Sequence, residues 1–121
     1  MSDVKRSIIG LGCDPKRAEF AKKNWAPRLG VQMDAAHDLK SLINMVSSKA
    51  YAVFFIAPGM CYLLGEDGRE KVFKQVKSIQ PNIKCVLIED VSNSLSILSK
   101  ALDLDEFKDV QPMTNDWPFV D

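Results

Sequence analysis

The side chains in this chain that could do chemistry are few, and the tightest grouping is the turn Gly10-Leu11-Gly12-Cys13-Asp14-Pro15, which follows a short apolar run. A glycine turn between a strand and a helix can bring backbone N–H groups against a pyrophosphate, with a carboxylate near the end of the next strand holding the ribose. Gly10 and Gly12 supply two of the glycines, and Asp34, 22 residues past Gly12, supplies the carboxylate. The third glycine position is Pro15, which offers no N–H and puts a ring where the motif needs bare backbone. A small nucleotide- or dinucleotide-binding domain using Gly10, Gly12 and Asp34 is therefore the alternative reading. Cys13, beside a helix start, would have its thiolate favoured by the helix dipole. A cysteine-based phosphate loop also needs an arginine six positions on, and the residue there is Glu19, so Cys13 is expected to be a buried structural thiol. His37 is the single histidine, and Cys13, Cys61 and Cys85 form no C-x-x-C pair, which indicates neither a zinc site nor a disulfide framework. No metal and no cofactor are expected.

Apolar runs and amphipathic segments take turns along the chain and must position these residues. Ser7 to Cys13 has strand length, and Asp14-Pro15 then supplies a helix cap and a first helical residue. Ala18, Ala21 and Trp25 fall on one helical stripe that Pro27 and Gly30 are expected to stop. Val31 to Ala36 is a short second strand. Leu39, Leu42, Ile43 and Val46 have helical spacing, with His37-Asp38 at the start. "YAVFFIAP", Tyr51 to Pro58, is apolar on both faces, as a central parallel strand covered on both sides must be. The loop "APGMCYLLGEDG" then precedes a late third helix marked by Val72, Phe73, Val76 and Ile79. Ile83 to Ile88 is a fourth buried strand, Leu95, Leu98 and Leu102 mark a fourth helix, and "FKDVQP" is a weak fifth strand. Trp25, Phe54 and Phe55 have the spacing of core residues. Five strands alternating with four helices predict an α/β fold, a doubly wound five-stranded parallel sheet with function at the carboxyl ends of its strands. The expected division is an α/β domain over residues 1–113 and a C-terminal tail over 114–121.

With 121 residues and 46% hydrophobic composition, the chain has material for one core. Sixteen basic and sixteen acidic side chains cancel, so the basic excess of a nucleic-acid or anionic-membrane surface is missing. The opening "MSDVKR" leads into an apolar run too short for a secretory or membrane segment, so a cytoplasmic protein without a membrane partner is expected.

The order of elements, the "DPKR" turn, the second strand, "YAVFFIAPGM" and the terminal "FKDVQP" together resemble the receiver domain of two-component response regulators, over about Ser7 to Pro112. The resemblance implies a flavodoxin-like fold. It also implies a pocket of fixed composition: an acidic pair holding magnesium after the first strand, an acceptor aspartate ending the third, Thr or Ser ending the fourth, and Lys before a proline after the fifth. At those positions stand Gly12 and Cys13 with the adjoining Asp14, then Ala57, Glu89, and Gln111 before Pro112. One carboxylate is a poor magnesium site, and an alanine has no oxygen to phosphorylate. The resemblance thus implies a degenerate pseudo-receiver: no enzyme, but a phosphorylation-independent interaction and signalling module.

Receivers end in a fifth helix, whereas "MTNDWPFVD" with Pro118 is not expected to form a regular one. An open flank is therefore expected, built from Leu98 and Leu102 of the fourth helix and Phe107 and Val110 of the fifth strand, and covered by Trp117 and Phe119 in a homodimer or partner complex.

Overall fold

A computed structural model describes residues 6–12, 15–88 and 94–102. The elements are β1 (Ser7–Leu11), α1 (Pro15–Leu29), β2 (Gln32–Ala36), α2 (Leu39–Ser48), β3 (Val53–Ile56), α3 (Pro58–Ile79), β4 (Lys84–Leu87) and α4 (Ser94–Ala101). The four described strands form one all-parallel sheet in the order β2-β1-β3-β4. Register runs Ile8 beside Met33 and Val53, and Phe55 beside Val86.

Strand alternation divides the core into two layers. Ile8, Met33, Val53, Phe55 and Ile88 face Trp25 and Leu29 of α1, Leu98 of α4 and Leu102 just past it. Ile9, Leu11, Phe54 and Ile56 face Leu42, Val46, Val72 and Val76 of α2 and α3. β3 is buried at all four positions, as a strand covered on both sides must be. β4 is not the buried strand the apolar run suggested: among the described residues it pairs with β3 alone, and its residues are half-buried or exposed.

Two helices differ from expectation. α1 continues through Pro27 to Leu29: the proline forfeits its own bond to the Lys23 carbonyl, but the helix ends two residues later and is closed by a Schellman motif. In that motif Gly30, at φ +66°, donates to the Pro27 carbonyl (3.3 Å), and Val31 donates to that of Ala26 (3.1 Å). α3 starts fourteen residues before Val72, since Ala57 is extended and Pro58 sits at the first helical position, where its missing N–H costs nothing. Gly65, at φ +68° and ψ 177°, breaks the helical path and joins the early segment to the later one.

α4 shares its layer with α1. β3 steps outward to β4 through α3 on the opposite layer. A further right-handed outward step would keep the next helix on the α3 layer. With α4 on the α1 layer, a parallel strand outside β4 would need a left-handed crossover. The expected fifth strand, Phe107 to Pro112, lies outside the described residues.

Candidate functional site

The carboxyl edge of the sheet is set by ladder bonds that continue past the strands. Gly12 donates to the Ala36 carbonyl (3.0 Å), Ala57 to Leu11 (2.9 Å) and Ile88 to Ile56 (3.0 Å). This brings Gly12 and Ala57 side by side: a Cβ built on Gly12 falls 3.4 Å from the Ala57 Cβ, ordinary van der Waals contact. The two positions where the resemblance would place metal-binding and acceptor carboxylates are thus neighbours, and neither carries a side-chain oxygen. Ala57 also starts α3 without any side-chain cap. Cys13, Asp14, Glu89 and Gln111 lie outside the described residues. Among those described, no group of three or more His, Cys, Asp or Glu side chains is placed to hold a metal ion.

The residues of the nucleotide reading do not converge. Gly10 is inside β1, and a Cβ there would stand 2.3 Å from Phe55 Cζ and 2.5 Å from Cε2. Its bare Cα makes room for an aromatic ring in the α1–α4 layer. Asp34 lies mid-strand in β2 and uses its carboxylate toward the other layer, accepting from the Tyr51 hydroxyl (2.7 Å) and the Lys49 ammonium (3.0 Å). Burial pushes that carboxyl up, but the bonds from Tyr51 and Lys49 and the charges of Lys49 and Lys22 outweigh it and hold it below the ordinary range. Tyr51 is pushed well above its ordinary value, by burial first and then by its bond to Asp34 and that negative charge. The Lys49 ammonium also lies 5.5 Å from the centre of the Tyr51 ring.

Gln80, at the end of α3, ties the same region together. Its Oε1 accepts from the Tyr51 amide (2.9 Å), and its Nε2 donates to the carbonyls of Val46 (2.7 Å) and Lys49 (2.6 Å). It thereby satisfies backbone groups at the end of α2 and the entrance to β3. Sequence reading missed this cluster because Tyr51 was counted only as apolar. A tyrosine entering a buried strand needs a partner for its hydroxyl, and that was the available signal. Asp38 caps α2 as expected, its Oδ1 accepting from the Ser41 amide (2.7 Å).

Two of the expected interface residues change role. Leu98 and Leu102 are 0% and 1% exposed, packed as core side chains in the layer that α4 shares with α1. Phe107, Val110, Trp117 and Phe119 lie outside the described residues. No described helix is long and apolar enough to cross a membrane. Comparison with known proteins finds no matching family model, no matching curated protein and no matching solved structure.

Proposed function

We propose that this chain is a non-catalytic, receiver-like interaction module, whose signal is a conformation or a bound protein and not a phosphoryl group. The observation that carries this reading is the contact of Gly12 with Ala57 at the carboxyl edge. Phosphoryl transfer to a carboxylate needs an attacking oxygen and a cation to neutralise the phosphoryl oxygens. These two neighbours supply neither.

The strand order is compatible with the first four strands of a flavodoxin-like sheet. The layer of α4 favours a version shortened by one helix–strand unit over the five-stranded form expected from sequence. In a five-stranded sheet the helix returning to the α1 layer is the one that follows the fifth strand, so here α4 takes the closing helix's place. This accounts for the burial of Leu98 and Leu102.

The test is incubation with acetyl phosphate and magnesium, followed by intact-mass measurement. The reading predicts an unchanged mass. A phosphate on an Asp or Glu near the strand ends would overturn it.

A further inference from the structure

The edge of β4 carries a groove that no part of the reading above uses. It is lined by Cys85 and Val86 of β4, Ile97, Lys100 and Ala101 of α4, Lys77 of α3, and Lys84. Lys77 and Lys100 stand in the last turns of their helices and Lys84 begins β4, so all three cations gather at the amino end of the sheet. Two of them complement helix dipoles. Three cations around one partly apolar groove still make it electropositive.

The chain leaves α4 at the rim of this groove, since Lys100 and Ala101 line it. The next residues are Asp103-Leu104-Asp105-Glu106-Phe107-Lys108-Asp109-Val110, four carboxylates against one lysine, with apolar side chains between them. We propose that this acidic segment, Asp103 to Val110, docks in the β4-edge groove of its own molecule. Its carboxylates answer Lys77 and Lys100, and its apolar residues rest on Val86, Ile97 and Ala101. A second copy presenting its own β4 edge is the poorer occupant, because edge-to-edge pairing would bring six lysines together. This proposal does not depend on whether the carboxyl edge of the sheet is inert.

Cys85 lines the groove and reports on it, so the test is its alkylation rate in the 121-residue chain, assigned by peptide mapping. The wild type is compared with Asp105→Lys/Glu106→Lys and with Lys100→Glu. Lys77 is left unchanged because its charge lowers the Cys85 pKa, partly offsetting the rise caused by burial. Exposed ion pairs are individually weak, and two acting together amount to about fivefold in the docking equilibrium. The tail variant and Lys100→Glu should each react faster, the former by about that factor, and combining Lys100→Glu with Glu106→Lys should restore protection in part. High salt should speed the wild type in the same direction. Equal rates in all variants, with unchanged circular dichroism, would overturn the proposal. Protection that strengthens with protein concentration would place the segment in a second copy's groove, and would overturn it as well.

Discussion

Gly10→Ala tests whether the first glycine of the turn serves packing or ligand binding. The added methyl would stand 2.3, 2.5 and 2.9 Å from three atoms of the Phe55 ring, where carbon atoms in contact sit at about 3.5–4.0 Å. The ring must therefore retreat by more than about 1 Å. It is 5% exposed and lies 6.2 Å, centre to centre, from the Trp25 ring behind it, so it has little room. Overpacking of this kind costs up to about 3 kcal/mol, and loss of glycine's freedom in the unfolded chain returns up to about 1 kcal/mol. The net expectation is destabilisation by about 2 kcal/mol, a fall in Tm of about 8 °C for a domain of this size. Thermal and urea unfolding followed by circular dichroism measure it. The companion is Phe55→Leu, which alone costs about 1–2 kcal/mol. Combined with Gly10→Ala it should cost less than the sum, because the smaller side chain yields the space. A Gly10→Ala variant as stable as wild type, or a strictly additive pair, would refute the packing explanation.

Tyr51→Phe removes one hydrogen bond to a partly exposed carboxylate and should cost about 1 kcal/mol in urea unfolding. Asp34 is held below its ordinary range in the folded chain, so its ionised form favours folding. That contribution is complete above the ordinary carboxylate range and is lost as pH falls through the lower folded value; Asp34→Asn should accordingly flatten the acid limb of the stability–pH curve. Gln80→Ala leaves the Tyr51 amide and the Val46 and Lys49 carbonyls without their partner, and should destabilise by about 2 kcal/mol in the same assay. A thermal-shift panel of mono- and dinucleotides should give no shift, whereas a ligand at a hundred times its Kd would add about 2.7 kcal/mol.

Much of the frame was legible because it rests on local pattern. The apolar runs placed four strands, and "VFFI" read as central because it is apolar on both faces. Asp38 read as a cap. The start of α3 was hidden because "APGMCYLLGEDG" contains three glycines that look like loop, and the sequence does not show that Gly65 serves as a joint between helical segments. The layer of α4 was equally hidden. Leu98 and Leu102 make the same apolar stripe whichever side of the sheet they cover, and only packing against Trp25 and Leu29 selects the α1 side. At the candidate site, the neighbourhood of Gly12 and Ala57 followed from the parallel order of their strands. The joining of Asp34, Tyr51 and Gln80 did not, because it depends on contacts between residues 17 and 29 positions apart.

The central claim is that the carboxyl edge at Gly12 and Ala57 accepts neither a metal ion nor a phosphoryl group. The most direct test is an amide NMR titration of the isotopically labelled 121-residue chain, first with magnesium and then with magnesium and beryllofluoride, a phosphoryl mimic. It is run on the wild type and on Ala57→Asp. The account predicts that the amides of Gly12, Ala57 and Ile88 do not move in the wild type. It predicts the same for Ala57→Asp, since the restored oxygen still lacks the acidic pair that would hold the ion. Saturable shifts at Gly12 and Ala57 in the wild type would contradict it.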